Sequence, residues 1–168
     1  MRKLILLAAV VAMMSTAANA MEPGSIALGW VKNEAPIGIR YVLAEKIAAD
    51  VGVGFFSKDM AAENADYTNI YAHIGLPIEL LAGDRASLAF RPGFTLKYTT
   101  FENEDIDATT DFWVHAWLAV YYAATESFGV TAAHGLDIQI LDGGAGDNLM
   151  DIYSIGANAF EVGWYYWF

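Results

Sequence analysis

Cysteine is absent from the 168-residue chain, and basic residues are scarce. Without cysteine, neither a disulfide scaffold nor thiolate chemistry is available. The 9 lysines and arginines stand against 20 aspartates and glutamates, which gives a formal net charge of -11. Because the phosphates of nucleic acids require a basic surface, we expect no nucleic acid among the partners.

Long apolar runs are also missing after residue 20. No segment there approaches roughly 18 consecutive apolar residues, so a helical membrane protein is not expected. The chain is nevertheless 56% hydrophobic and 14% aromatic, which is unusual for an acidic, water-soluble domain. The apolar side chains must therefore be accommodated somewhere besides a compact core.

The first 20 residues have the pattern of a secretory signal peptide. Arg2 and Lys3 precede an apolar run at 4–14, and the small residues Ala18 and Ala20 form the cleavage pattern. We expect 1–20 to be removed and 21–168 to form one domain, because no linker or low-complexity tract divides it.

Apolar side chains alternate with polar or small ones along the rest of the chain. This period of two places successive side chains on opposite faces of a β-strand, as where Ile37, Ile39 and Tyr41 alternate with Gly38 and Arg40. The pattern predicts eight strands. They occupy 25–31, 37–43, 47–56, 67–81, 86–100, 112–122, 127–140 and a last segment that ends at 168.

The links between these strands are of two kinds. Those after strands two, four and six are short, and those after strands three, five and seven are long and polar. The short links are 44–46, 82–85 and 124–126, and the long ones are 57–66, 101–111 and 141–151. Only the first link, 32–36, is shorter than this scheme expects. Short turns at one end and long loops at the other are typical of transmembrane barrels.

The last nine residues continue the alternation with aromatic side chains. One face carries Phe160, Val162, Trp164, Tyr166 and Phe168. In water this face would favour aggregation, whereas in a bilayer it would face lipid, with its aromatic rings at the interface. Closure into a barrel also satisfies every backbone hydrogen bond within hydrocarbon.

The signal peptide, the eight amphipathic strands, the sorted links and the terminal aromatic residue together resemble the small eight-stranded outer-membrane barrel superfamily of the OmpA/OmpX type. The resemblance implies an all-β fold, an eight-stranded antiparallel up-and-down transmembrane β-barrel in the outer membrane of a Gram-negative bacterium. It also implies that membrane lipids and lipopolysaccharide surround the barrel. The barrel-assembly machinery of that membrane would recognise the C-terminal strand.

The face opposite the apolar one carries about one charge per strand. The interior of an eight-stranded barrel is just wide enough to be filled by side chains, and charges buried there need opposite partners. We therefore expect a plug of paired side chains and no large conductance, with a gated ion or proton path as the alternative. The predicted inward residues are Arg40, Asp50, His73, Glu79, Arg91, Lys97, Asp137 and Glu161.

Two irregularities are expected within the strands. Pro77 and Pro92 lie inside strands four and five and each removes a hydrogen-bond donor, which predicts bulges or pairing gaps. In strand eight the apolar face switches sides near Ala157 and Asn158, so a bulge is expected there.

Catalysis is not expected. Lipid A deacylases, which are also small outer-membrane barrels, use a histidine, a serine two residues later and a glutamate nearer the C terminus. Here His134 is followed at that position by Leu136, and Glu161 is predicted to face inward while His134 faces outward. A deacylase-like, lipid A-modifying enzyme is therefore kept only as an alternative. His73, His115 and His134 also lack metal-motif spacing.

No metal ion or other cofactor is expected. The acidic loop residues Glu102, Glu104, Asp105 and Asp107 offer oxygen ligands that could bridge divalent ions to lipopolysaccharide phosphates. The loops do not match the spacing of an EF-hand, so solvated loops are the preferred interpretation.

A soluble periplasmic carrier of a small apolar ligand, built like a lipocalin, is the second alternative. It would turn the apolar face inward and the other face toward water. That other face is rich in glycine, alanine and threonine and carries too few charges for a solvated exterior. We therefore expect an integral outer-membrane barrel with a structural or surface-interaction role. In such a fold the specificity for any ligand resides in the loops rather than in the strands.

Overall fold

The computed structural model describes residues 22–58, 66–103, 106–141, 149–153 and 160–168, so the expected signal peptide 1–20 lies outside the described residues. The described residues form an all-β protein. Its strands are β1 (Ile26–Gly29), β2 (Ile37–Ala44), β3 (Ile47–Lys58), β4 (Tyr67–Gly75), β5 (Ile78–Ala82), β6 (Ala86–Phe101), β7 (Thr109–Ala123), β8 (Phe128–Leu141), β9 (Leu149–Tyr153) and β10 (Phe160–Trp167). This part of the chain contains no helical segment with the length and apolar character that crossing a bilayer requires.

The sheet closes on itself. All strand pairs are antiparallel, and β10 pairs with both β1 and β8. Segments β4 and β5 lie end to end between β3 and β6, and segments β9 and β10 both pair with β8. The ten segments therefore make eight strands of one closed antiparallel barrel, which confirms the prediction of an all-β, eight-stranded antiparallel barrel.

The alternation of side chains sets the direction of each strand face. In β3, Val51 and Phe55 are 55% and 72% exposed on the outside, while Asp50 is fully buried inside. Buried alanines such as Ala119 and Ala133 fill the inner wall, where larger side chains from eight strands would collide. The interior is thus narrow, and its contents must fit together closely.

The two prolines lie at one gap between neighbouring strands. Pro77 falls between β4 and β5, and pairing with β6 is interrupted between Gly75 and Ile78. Pro92 stays in register with Ala116 of β7 on its other side, so β6 itself is continuous. The carbonyl of Pro92 accepts a hydrogen bond from the Leu76 N–H, so the proline ring nitrogen also points toward the gap. The missing donor therefore costs nothing on the β7 side.

The described pairing of the last strand with β8 has two parts, one through β9 and one through β10. Tyr153 of β9 pairs with Asp137, and Phe160 of β10 pairs with His134. In the sequence, six residues separate Tyr153 from Phe160, whereas two separate His134 from Asp137. Ile152 and Phe160, on either side of this interval, both point outward. The predicted bulge at 157 and 158 lies outside the described residues.

The two ends of the barrel differ. The turn end has the short links 45–46, 83–85 and 124–127, whereas the strands at the opposite, loop end reach further than predicted. Strand β3 continues to Lys58 and β7 begins at Thr109. Antiparallel pairing with β4 and β6 continues to these residues although their side chains are polar.

Candidate functional site: the barrel interior

A bidentate ion pair lies at the centre of the barrel. Arg40 of β2 and Asp50 of β3 are direct cross-strand partners, and both are fully buried. Arg40 Nε and one terminal nitrogen each lie 2.7 Å from a carboxylate oxygen of Asp50. The same nitrogen donates to the hydroxyls of Tyr121 at 2.8 Å and Tyr165 at 3.0 Å, and both rings stack beside the guanidinium. A bidentate pair of guanidinium and carboxylate, like that of Arg40 and Asp50, is among the strongest polar contacts in proteins.

Arg91 of β6 crosses the lumen and joins opposite walls. One of its terminal nitrogens lies 2.7 Å from Glu161 of β10, and the other lies 3.4 Å from Asp50. The second nitrogen also donates to the carbonyl of Val31, just after β1. Because β6 faces β1 across the eight-stranded ring, this side chain ties the two halves of the cylinder together.

The link between β1 and β2, residues 30–36, folds into the lumen. We call it the inner segment. Val31 and Ala35 are fully buried and Lys32 is 2% exposed. The Asn33 N–H donates to Glu161 at 3.2 Å, and the Asn33 side-chain amide donates to the Phe160 carbonyl at 3.3 Å. The predicted link 32–36, together with Trp30 and Val31 from the end of the predicted first strand, is therefore part of the barrel's contents.

Glycines make room for the inner segment. A Cβ on Gly54 would overlap the carbonyl oxygen of Glu34, and one on Gly52 would lie 2.8 Å from the carbonyl oxygen of Ala35. On β2, a Cβ on Gly38 would overlap the side chain of Val31. Any side chain at these positions would displace the segment.

Lys32 carries the positive charge of the inner segment into the network. Its ammonium lies 3.8 Å from Glu161, 3.9 Å from Asp137 and 3.5 Å from Glu34. It also lies 3.5 Å from the centre of the Trp117 ring, a cation–π contact. The three carboxylates that surround it explain how an ammonium is retained in a buried position.

A chain of side chains runs along the wall from β4 to β8. His73 Nδ1 lies 2.8 Å from the Thr95 hydroxyl, which lies 2.7 Å from His115 Nε2. His115 Nδ1 lies 2.7 Å from Asp137, which also accepts from the Trp117 indole. Because a carboxylate only accepts, a neutral His115 donates from Nδ1 and accepts from Thr95, which in turn accepts from His73.

The order hydroxyl, imidazole and carboxylate in Thr95, His115 and Asp137 is that of a nucleophilic triad. Its surroundings differ from those of an active site, however. The Thr95 hydroxyl is fully buried and lies between two imidazoles. An acyl carbonyl would need an open position beside this oxygen, which the described residues do not provide. The arrangement orients side chains rather than exposing a nucleophile.

Six buried charges at the centre of the barrel balance one another. Three buried cations contact three buried carboxylates, and every one of these six residues is at most 5% exposed. They are Lys32, Arg40, Arg91, Asp50, Asp137 and Glu161. Charges removed from water are stable only when paired in this way. We call these six residues together with His73, Thr95 and His115 the lumen network.

Six of the eight residues predicted to face inward belong to the lumen network, and two lie apart from it. Glu79 is half-buried at the turn end, where its carboxylate accepts a hydrogen bond from Ser87. Lys97 forms an ion pair with Asp111 nearer the loop end. Glu79 lies at a break in the strand, since the register with β6 shifts between Glu79 and Leu81.

Below the lumen network, the turn end opens into a cavity of about 550 Å³. Tyr121 and Tyr165 line it on the side toward Arg40, and Trp167, Arg85 and Glu79 line it nearer the mouth. The barrel is therefore filled at the level of the lumen network and hollow at the turn end.

The predicted C-terminal face points outward. Phe160, Val162, Trp164, Tyr166 and Phe168 are 41 to 80% exposed, whereas the intervening Glu161, Gly163 and Tyr165 are buried.

Outside the lumen, the predicted acidic loop residues are only partly described, since 104 and 105 lie outside the described residues. Glu102 and Asp107 are exposed. Within the described residues, no group of three or more histidine, aspartate or glutamate side chains is arranged to hold a metal ion.

No protein-family model matches this chain, and no curated protein matches it at a significant level. Its function must therefore be inferred from the arrangement of its own side chains.

Proposed function

We propose that this protein is an integral outer-membrane β-barrel with a structural or surface-interaction role, a closed lumen and no catalytic activity. The observation that carries the proposal is the division of side chains between the two faces. Aliphatic and aromatic residues cover the outside of the strands, while the ion pairs are inside. In water this exterior would be a very large exposed apolar surface, whereas hydrocarbon matches it.

The interior argues against a soluble carrier of an apolar ligand. Such a carrier needs a hollow lined by apolar side chains. Here Arg40, Asp50 and Arg91 occupy the middle of the barrel in direct contact. An apolar ligand at this level would separate these charges and leave them unpaired, at a cost of several kcal/mol, roughly 3–5 for a broken buried pair.

The same contents support a closed barrel rather than a pore. The inner segment and the lumen network fill the cross-section between the cavity at the turn end and the loops. An ion could pass only by separating contacts such as that between Arg91 and Glu161. We therefore assign this filling the role of bracing the wall.

The exposed C-terminal face supports recognition by the barrel-assembly machinery of the outer membrane. Phe168 is 80% exposed, and its N–H donates to Ile26 at 3.1 Å across the seam between first and last strands. Deletion of Phe168 should lower the amount of assembled barrel in cells while leaving refolding of the purified chain into detergent unchanged. Equal loss in both measurements would indicate a purely structural role for Phe168.

The test of the membrane proposal is fractionation followed by gel electrophoresis. After expression in a Gram-negative host, the protein should remain in the outer-membrane fraction after a carbonate wash. The unboiled sample should migrate differently from the boiled one, because a closed barrel resists dodecyl sulfate until heated. Recovery of the folded protein in the soluble periplasmic fraction would contradict the proposal.

A further inference from the structure

One ionisable side chain lies in the middle of the apolar exterior of β8. His134 is exposed, and three outward positions lie on each side of it along the strand. These positions are Phe128, Val130 and Ala132 toward the turn end, and Leu136, Ile138 and Ile140 toward the loop end. A spanning strand needs about 9–11 residues, so the centre of this 14-residue strand lies near the middle of the bilayer if the barrel is in a membrane.

His134 has no polar contact within the described part of the chain. Its cross-strand neighbours are Leu118 of β7 and Phe160 of β10, both exposed and apolar. The histidines of the interior are hydrogen-bonded, by contrast, through Thr95 and Asp137. His134 is thus a donor and an acceptor directed away from the barrel.

Lipid cannot satisfy this imidazole. The headgroups lie about 15 Å from the bilayer centre, which is beyond the reach of a histidine side chain. Acyl chains offer no hydrogen bond, and a polar group left unpaired in hydrocarbon is costly. Intramembrane ionisable residues therefore usually mark a contact with another group of matching chemistry.

We propose that a second copy of this chain packs against the outer face of β8, so that the two His134 side chains hydrogen-bond across a two-fold axis. The proposal rests on the membrane location proposed above. A neutral imidazole has one donor and one acceptor, so it is complementary to itself, and a two-fold interface brings identical residues together.

The surface beside His134 suits such an approach. Ala132 lies one outward position away, between Val120 of β7 and Val162 of β10. Small residues next to a polar one allow two membrane segments to come close enough for a hydrogen bond. The neighbouring side chains are aliphatic or aromatic, so the remainder of the contact requires no further polar partner.

The absence of cysteine allows a direct test with single substitutions. Ala132→Cys reports on the proposed interface. Ala72→Cys is the matched control, because Ala72 is also an exposed outward alanine but lies on β4, three strands away around the barrel. Each variant is purified, reconstituted into phosphatidylcholine vesicles at high dilution in lipid and oxidised with copper phenanthroline. Non-reducing gels then measure disulfide-linked dimer.

The Ala132→Cys variant should give at least about tenfold more dimer than Ala72→Cys, which corresponds to about 1.4 kcal/mol of preferential contact. Adding His134→Leu should reduce the yield to the level of the control. Equal yields for the two cysteines, or a yield that His134→Leu leaves unchanged, would overturn the proposal. Dimer-sized adducts found in native membranes but not with purified protein would show a different partner and would also overturn it.

The heat-dependent gel shift of each variant separates this outcome from failure of the membrane proposal. A normal shift without preferential dimer contradicts only the two-fold contact. Absence of the shift from the unsubstituted protein contradicts the membrane location itself. If Ala132→Cys lacks the shift while the unsubstituted protein shows it, Val130→Cys takes its place, because Val130 lies on the same face of β8.

Discussion

At the scale of single residues, Asp50 is a buried charge on which two other buried charges depend. Its carboxylate is fully buried and contacts both Arg40 and Arg91. Each oxygen has a partner, so the two guanidinium groups depend on the same charge. Removing that charge leaves two buried cations with less compensation than they need.

Asp50→Asn should therefore lower the free energy of unfolding by about 3–5 kcal/mol, the usual cost of removing one partner of a buried ion pair. The substitution keeps the size of the side chain, so no cavity contributes. Urea unfolding in lipid vesicles, followed by loss of the folded gel band, measures the change. Glu126→Gln, in the exposed link at the turn end, is the control and should leave the midpoint unchanged. Equal midpoints for the two variants would contradict the assignment.

Residue-scale prediction from the sequence succeeds where a strand pattern determines the face. Arg40, Asp50 and Glu161 each lie between outward apolar neighbours, so their inward direction follows from the alternation alone. Lys32 has no such pattern, and the sequence predicts only that it lies in the link 32–36. Its burial depends on Asp137 and Glu161, more than one hundred positions away in the chain, and local periodicity contains no information about that contact.

At the scale of elements, the inner segment is the feature that the sequence predicts least well. The only sequence signal is the run of inward glycines, Gly38, Gly52 and Gly54, on two adjacent strands. Glycines at neighbouring inward positions leave a groove, and a groove inside a narrow barrel must be filled. Recognising this requires the register of β2 against β3, which pairs Gly38 with Gly52.

Gly54→Ala should release the inner segment, because the new methyl group would overlap the carbonyl of Glu34. A cysteine introduced by Ala35→Cys, which is buried in the folded barrel, reports the release. Its labelling by a water-soluble maleimide should become about tenfold faster, as expected for a steric cost of about 1.4 kcal/mol.

Gly129→Ala is the matched control for this labelling experiment. Gly129 also faces the interior, but its Cβ would lie 3.1 Å from Tyr122 and would not touch the inner segment. Ala35→Cys should stay protected in that background. Equal labelling with Gly54→Ala and Gly129→Ala would show that the glycines do not hold the segment.

The prolines show how far element boundaries can be predicted. The lack of an N–H predicts an interruption at both Pro77 and Pro92, and the structure places the two at the same gap between β4 and β5. That Pro92 leaves the pairing with β7 intact could not be predicted, because it depends on which neighbour its nitrogen faces. Strand direction in space, rather than propensity, decides this.

At the scale of the whole molecule, the lumen is filled by two features, the lumen network and the inner segment, and Lys32 belongs to both. In planar bilayers the unsubstituted protein should show no stable steps on the order of a nanosiemens. The lumen network and the inner segment fill the cross-section above the cavity at the turn end. Replacing residues 31–35 by two glycines should produce more frequent small openings, because Lys32 and Val31 leave the lumen.

Stable openings on the order of a nanosiemens from the pure, unsubstituted protein would contradict a closed lumen. The matched control is replacement of 124–127, a link at the turn end of similar length that lies outside the lumen network. It should leave the recordings as quiet as those of the unsubstituted protein.

The fold class could be predicted at this scale because one rule, apolar outside and polar inside, is repeated in every strand. The number of strands and their closure follow from that repetition and from the sorted links. The cavity at the turn end could not be predicted. Its volume depends on how Tyr121 and Tyr165 turn toward Arg40, and strand periodicity does not describe such a contact.

Spin labels distinguish hydrocarbon from water at the outward face. Cysteines replacing Val51, Ile74 and Val162, one at a time, are labelled with nitroxide in lipid vesicles, and Glu102→Cys, an exposed position at the loop end, is the reference. The three outward labels should collide frequently with oxygen and rarely with a water-soluble nickel chelate, and the reference should show the reverse. Frequent collisions of the nickel chelate with all three outward labels would contradict a barrel whose apolar side chains face lipid.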